Sequence, residues 1–447
     1  MIDTSRSRTL AADAVASARA AGAEQAEAIV AASENALTRF AGNRIHQNMA
    51  SEDAEVSVRA VIGTRIGVAS TNRVDAEGLE VCCRAATDAA RLAPPDPAFP
   101  GLPQPRPAQV DDRVEPSTMG FDESARAAAA GEMIVGSATS GGTAAGGVSC
   151  DHTVVAIANS LGTDVAMART SVRATVLSAS AHGGTGWAAF AGRGADALGP
   201  RTLGDRASGV ANRSADPVEL DAGVYTVVLA PEAVADVAQF LAWYGGSIKS
   251  VEEGRSFMSG KLGKRVTSPM ITLVDDALAS WSTGLTFDYE GQPKTRVALI
   301  ERGVAASPVT DSYWAARTGR PNTGHALPAP NSQGPLPLDV ALEPGDAEPS
   351  QLIAAVKRGI YVTRFHYVNI EDPTRVTLTG MTRNGTFLIE NGELTSPAKD
   401  LRFTQPALEA LDTTLGVSTH RELVGEEGGA FVPYLLLERF TFTGRTS

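Results

Sequence analysis

The chain has 447 residues, of which 43% are hydrophobic and 20% charged, a balance that supports a sizeable core and excludes general disorder. The formal net charge of −12, from 39 basic and 51 acidic residues, argues against a nucleic-acid partner, because phosphate binding needs a basic face. Three cysteines, no apolar run of about 18 residues and no apolar N-terminal signal together predict a cytoplasmic chain without disulfides or membrane spans.

The first ninety residues predict a helix, two β-hairpins and a second helix. Residues 8–22 are rich in alanine and end at Gly22, which is a common helix stop. Turn residues at 41–43 and 62–64 separate runs in which apolar and polar side chains alternate, as they do in strands. Residues 75–91 return to a helical pattern.

A second unit follows a connection over residues 93–110, where seven prolines exclude both a helix and a central strand. Its pattern predicts a helix near 121–139, strands on both sides of a turn at 159–162, and a further helix near 201–212. Because this order repeats that of the first unit, we interpret residues 1–215 as one N-terminal domain with an internal duplication.

The remaining residues, 216–447, predict a β-rich C-terminal domain. A strand over 221–229 precedes a helix that opens at Pro231 and Glu232, since proline is tolerated in a first turn and glutamate suits the helix dipole there. Beyond residue 268, short apolar runs alternate with Gly, Pro, Asn and Asp. The fold class predicted for the whole chain is therefore α+β.

No local catalytic motif accompanies these elements. No two of the six histidines lie within five residues of each other, so a helical pair of zinc-binding imidazoles is absent. The pentapeptide G-x-S-x-G is absent as well. The loop over 254–261 departs from the phosphate-binding consensus in glycine spacing, and Leu262 follows it where the consensus requires Ser or Thr. The local motifs in the sequence therefore do not identify a reaction that the chain could catalyse.

Seven segments in consistent order nevertheless resemble the TldD/PmbA family, once called modulators of DNA gyrase. The resemblance runs nearly from end to end. The segments are LTRFAGNRIHQN (37–48), ANSLGTD (158–164), GKLGKRVTSPMITLVDDA (260–277), FDYEGQPKTRVALIERGV (287–304), TGRPNTGH (318–325), GTFLIENGELTSPAKDLRF (385–403) and LLLERFTFTG (435–444).

The resemblance implies a chain of the PmbA/TldE type, which lacks the metal site of its TldD-type homologues. TldD-type chains look like metallopeptidases with an HExxxH helix and a cysteine ligand from the C-terminal domain. At the matching positions, Pro231 and Asp236 replace the two histidines and only Glu232 agrees. No cysteine follows Cys150, and the region that matches the ligand lies near 423–425. The resemblance thus implies neither catalytic nor metal-binding residues here, and it assigns no substrate contacts.

By the same resemblance, we expect a non-catalytic subunit that pairs with a TldD-type chain and is inactive alone. The heterodimer would cleave unfolded or leader peptides, with zinc or iron in the partner and no cofactor in this chain. One alternative is a stand-alone metallopeptidase, in which Glu232, Asp236 and a distant histidine such as His325 rebuild a metal site. Another is a homodimer that binds peptides or regulates another protein; neither nucleic acid nor a membrane is an expected partner.

Overall fold

The computed structural model describes residues 3–138, 141–425 and 429–445, which form two sheets with associated helices. The predicted α+β class is confirmed. Within those residues, no helix has both the length and the apolar character needed to cross a membrane.

The N-terminal sheet has six strands in the order β3-β2-β1-β4-β5-β6, and its neighbouring strands are antiparallel. Tight turns reverse the chain at Gly42-Asn43 and at Gly63, where positive φ values suit glycine and asparagine. The two predicted hairpins share one 19-residue strand, β2. The strands are β1 Gln25–Ala41, β2 Arg44–Ile62, β3 Arg65–Thr71, β4 Thr143–Asn159, β5 Asp164–Ala179 and β6 Thr185–Gly192.

Helices cover one face of this sheet. The first pair, α1 and α2, packs on alanine and valine side chains of β1 and β2, and the second pair, α4 and α5, packs on β4 to β6. At Gly186 of β6 a Cβ atom would collide with the carbonyl oxygen of Ala207, so glycine lets α5 approach closely. The helices are α1 Thr4–Ala20, α2 Ala76–Leu92, α3 Pro116–Met119, α4 Glu123–Ser137 and α5 Pro200–Arg213. The predicted end of α4 at residue 139 lies outside the described residues.

The C-terminal sheet is larger, with eleven strands of mixed direction. One strand, β17 Ala430–Arg445, pairs with β7, β11, β15 and β16 and so lies at the centre of this sheet. The strands are β7 Gly223–Leu229, β8 Leu273–Asp275, β9 Val297–Glu301, β10 Val304–Ala305, β11 Val340–Leu342, β12 Arg358–Asp372, β13 Thr377–Glu390, β14 Glu393–Pro397, β15 Leu401–Pro406, β16 Thr414–Val424 and β17 Ala430–Arg445.

One long helix, α6, lies against this sheet. Val234, Val237, Ala238 and Leu241 recur at helical spacing and are buried in the main hydrophobic core of this half. The C-terminal helices are α6 Pro231–Gly245, α7 Ile248–Glu252, α8 Ser312–Thr318, α9 Pro349–Ala354 and α10 Ala407–Asp412.

The second face of the N-terminal sheet meets the C-terminal half partly through an apolar cluster. Ile29, Ile157 and Met167 from three neighbouring strands pack against Leu285 and Phe287 from a loop of the C-terminal half. These side chains are nearly inaccessible to water, so the two halves share a core in addition to their own.

Buried guanidinium groups reinforce the same junction. Arg113 is 9% exposed and donates to the carbonyl oxygens of Ala277 at 2.7 Å, Ser282 at 3.1 Å and Gly284 at 3.2 Å. A second cation, Arg59, reaches carboxylates of both halves. Because a buried carbonyl without a donor is costly, Arg113 is expected to stabilise the junction strongly.

We predict that Arg113→Met lowers the free energy of unfolding by about 3 kcal/mol, because several carbonyl groups lose a charged donor while the volume is largely kept. Urea unfolding followed by circular dichroism measures the change. The matched control is Arg106→Met, which removes one exposed hydrogen bond to the Asn322 carbonyl and should cost less than about 0.5 kcal/mol. Equal effects of the two substitutions would contradict this role of Arg113.

Candidate functional site

A cleft separates the second face of the N-terminal sheet from α6. It consists of two adjoining cavities of about 650 Å³ and about 860 Å³, which share Arg173 and Trp243 in their linings. The volumes are those typical of ligand sites. On the helix side the cleft is lined by Asp236, Gln239, Phe240 and Trp243.

The sheet side of the cleft follows from strand periodicity. Because alternate side chains of a strand point to the same face, small polar residues of β1, β4 and β5 line up opposite α6. They are Ser33, Asn35, Ser149, Asp151, Thr153 and Ser171. The wall thus offers hydroxyl, amide and carboxylate groups beside larger side chains of β1 and β5, namely Leu37, Arg39, Arg169 and Arg173.

Two opposite charges of this wall, Arg173 and Asp151, are paired. Arg173 Nη2 lies 2.9 Å from Asp151 Oδ2, and the Ser171 hydroxyl donates to the same oxygen at 2.9 Å. Arg169 donates to the Thr283 carbonyl at 2.8 Å and so ties β5 to the C-terminal half. The cleft is therefore polar without a strong charge of one sign.

The helix α6 begins at Pro231, as the sequence predicts, and presents Glu232 in its first turn. The Glu232 carboxylate faces Arg206 of α5, whose Nη2 is 3.9 Å from Glu232 Oε1 and 3.3 Å from Glu422 Oε2 of β16. The pKa of Glu232 is raised to about 7, mainly by burial and also by the neighbouring Glu422, although Arg206 opposes both effects. The guanidinium of Arg206 thus lies between two carboxylates, Glu232 and Glu422, that come from different elements.

One helical turn later, Asp236 reaches the cleft. Burial raises its pKa to about 7, and the nearby Arg364 of β12 offsets part of that shift. The Arg364 guanidinium also lies over the Trp187 ring of β6, 4.3 Å from its centroid, which is a cation–π distance. Both acidic residues of α6 therefore face arginines that contact, or belong to, the N-terminal half.

These donors do not fit a zinc ion. A zinc site needs imidazole, thiolate or carboxylate groups that converge on one point. Over residues 3–138, 141–425 and 429–445, no three His, Cys, Asp or Glu side chains converge in this way. Pro231 offers no ligand atom, and the Glu232 carboxylate already faces a guanidinium. The described residues around α6 therefore do not form a zinc centre.

The structure does not bring His325 to Glu232 or Asp236. It is buried in the C-terminal half, where Nε2 lies 2.9 Å from Asp275 Oδ1 and Nδ1 lies 2.9 Å from Thr323 Oγ1. Both ring nitrogens are thus engaged in local hydrogen bonds, which leaves neither nitrogen free to bind a metal ion at α6.

The region that matches the missing cysteine ligand does pass close to α6. Leu423 and Gly425 line the cleft, and a Cβ atom on Gly425 would lie 3.2 Å from Gln239 Nε2. Sequence reasoning located this neighbourhood but missed Arg206, Arg364 and Glu422. No local motif marks these three residues, because they come from separate elements. The only sequence signal was the position of Glu422, which directly precedes the region 423–425 that matches the cysteine ligand.

Two models of one family match the chain. The first, described as PmbA/TldA metallopeptidase domain 1, matches residues 26–90, and the second, described as the PmbA/TldA metallopeptidase C-terminal domain, matches residues 222–444. Together they cover well over half of the chain, including the α6 region.

Several metalloproteases of the same family are similar to this chain in sequence. The chain is 30% identical over 205 residues to a metalloprotease TldD homolog of Haemophilus influenzae, a match of 42% of each chain. It is 26% identical over 223 residues to a metalloprotease of Methanothermobacter thermautotrophicus, covering 50% of this chain and 48% of that one. The chain thus spans about half the length of these relatives.

The crystal structure of TldE from Thermococcus kodakarensis has the same fold, with a TM-score of 0.88, 20% identity, and coverage of 97% of this chain and 100% of that one.

We predict that Glu232→Gln stabilises the protein above neutral pH. A carboxyl group whose pKa is raised to about 7 contributes stability that is present below its ordinary pKa of 4.5 and is lost as the pH rises through 7. The variant should therefore match the parent near pH 4.5 and exceed it by about 2 kcal/mol at pH 8. Urea unfolding across this pH range measures the difference.

The matched control is Glu393→Gln on β14, where the side chain is exposed. It should change the stability by less than about 0.5 kcal/mol at every pH. A loss of stability in Glu232→Gln at pH 8 would show that attraction to Arg206 outweighs burial, and it would contradict the prediction.

Proposed function

This chain belongs to the PmbA/TldD family of metallopeptidase-like proteins, and on that premise we propose that it is the non-catalytic subunit of a heterodimeric peptidase. Its partner is a homologous TldD-type chain that carries the metal, zinc or iron. The pair cleaves unfolded peptides or peptide leaders in the cytoplasm. This subunit stabilises the partner and supplies one wall of the chamber in which the peptide is held.

The observation that carries the proposal is the chemistry at the start of α6. Two of the three positions that would hold or activate a metal are Pro231 and Asp236, and the third, Glu232, faces Arg206. A carboxylate general base acts on metal-bound water, and without imidazole or thiolate donors no such water is generated. The helix is retained while its catalytic chemistry is replaced.

The cleft supports a role in holding peptide. Its sheet wall carries small hydroxyl and amide side chains, among them Ser33, Asn35 and Thr153, beside the aromatic Trp243. Such groups hydrogen-bond to peptide carbonyl and amide groups without selecting a particular side chain. The absence of a dominant charge, given the Arg173–Asp151 pair, is compatible with substrates of varied sequence.

We predict that metal and peptidase activity appear only when the TldD-type chain is present. The two chains from one organism are expressed separately and together, and metal content is measured by elemental analysis alongside hydrolysis of an unstructured peptide. This chain alone should contain much less than one equivalent of zinc or iron and should not hydrolyse the peptide.

A matched pair of substitutions serves as the control. In the mixture, Glu232→Gln in this chain should leave hydrolysis unchanged, whereas the same substitution in the HExxxH motif of the partner should abolish it, because only the latter carboxylate acts on metal-bound water. Chelator-sensitive hydrolysis by the isolated chain would overturn the proposal.

A further inference from the structure

One face of α6 presents a carboxylate and two aromatic rings to the larger cavity of the cleft. Asp236, Gln239, Phe240 and Trp243 follow one another at helical spacing and line this cavity together. Asp236 is half-buried, and among the described residues its carboxylate has neither a hydrogen bond nor an ion pair. Because a charge removed from water is costly unless it is paired, this carboxylate has the capacity to bind a further donor.

Two arginines near this cavity are held by other groups. Arg364 attracts the Asp236 carboxylate from a distance, but its guanidinium lies over the Trp187 ring, 4.3 Å from the centroid. Arg173 lines the cavity and lies 2.9 Å from Asp151 Oδ2. Neither guanidinium forms an ion pair with Asp236, so the carboxylate remains the group whose charge a ligand in this cavity would meet.

The sheet wall opposite α6 leaves room for a ligand. Residues 145–147 of β4, an alanine and two glycines, line the cavity there and occupy little of it. The other basic side chains in the lining, Arg39 and His46, are exposed, so water and salt screen their charge. The half-buried Asp236 is screened less, and its charge therefore has the stronger influence on a ligand placed against the helix.

A primary ammonium group has the chemistry that this cavity accepts. It carries three N–H donors and one positive charge, and Asp236 supplies the opposite charge. The Gln239 amide and the Ser149 hydroxyl line the same cavity as neutral acceptors, and neither side chain has a hydrogen-bond partner among the described residues. The rings of Phe240 and Trp243 add the aromatic surface that attracts cations. A carboxylate ligand would instead be repelled by Asp236.

We propose that Asp236 binds a primary ammonium group of the peptide in the cleft, either its N-terminal amine or a lysine side chain. The inference rests on the proposed function in taking the ligand to be a peptide. It is tested by binding to the isolated chain, whereas the peptidase role is tested by hydrolysis in the mixture with a TldD-type chain. Failure of one is therefore distinguishable from failure of the other.

Calorimetric titration with three short alanine–serine peptides at pH 7 tests this site. All three are amidated at the C-terminus; one has a free N-terminus, one is acetylated, and one is acetylated and contains a lysine. The free peptide should bind about tenfold more tightly than the acetylated one, because a hydrogen bond between charged groups is lost on acetylation. Asp236→Asn should remove this difference, whereas Asp13→Asn, at an exposed position of α1, should preserve it. Tighter binding of the lysine peptide than of the acetylated one would identify the side chain as a second source of the ammonium group.

Competition with a minimal cation supplies a second measurement. Ethylammonium chloride should displace the free peptide from the parent chain, and sodium chloride at the same ionic strength should displace it less, because sodium lacks N–H donors. Circular dichroism verifies that each variant is folded. Equal binding of the free and acetylated peptides, an unchanged preference in Asp236→Asn, or no binding of any ammonium-bearing peptide at millimolar concentration would each overturn the assignment of Asp236.

Discussion

The structure depends on cations buried where the two halves of the chain meet. Arg59 reaches Glu27 of its own sheet at 2.8 Å and Glu290 of the C-terminal half at 3.3 Å, while Arg113 donates to three carbonyl groups of that half. Burial raises the pKa of Glu27 to about 7, although Arg59 opposes the shift. Buried charges need partners in a well-defined geometry, so these contacts constrain how the two halves are oriented.

In the region around α6, arginine side chains supply the positive charge that a metal ion would supply in a TldD-type chain. The TldD-type pattern expects a metal ion beside the glutamate of this helix, whereas here the Glu232 carboxylate faces Arg206, and Asp236 lies near Arg364. A guanidinium offers several directed N–H groups but cannot polarise a water molecule as a Lewis acid does. The helix is thereby present without the donor set that a zinc site needs.

Elements with strong local signals could be predicted from the sequence. Helices α1, α2 and α5, the turns at 42–43 and 63–64, and the opening of α6 at Pro231 depend on residues near one another in the chain. The length of β2 was not foreseen, since residues 44–53 are exposed on both faces and lack alternation. The pairing of Arg206 with Glu422 spans 216 residues, and no pattern within a single segment encodes such a contact.

The guanidinium beside Glu232 has a consequence for how the protein is maintained in a cell. A site that folds around a metal ion couples the stability of the chain to the supply of that metal, and chelation or starvation then unfolds it. Arg206 is part of the polypeptide and is present as soon as the chain is synthesised. The abundance of this protein should therefore be insensitive to zinc or iron limitation, and the chain should remain folded when these metals are scarce.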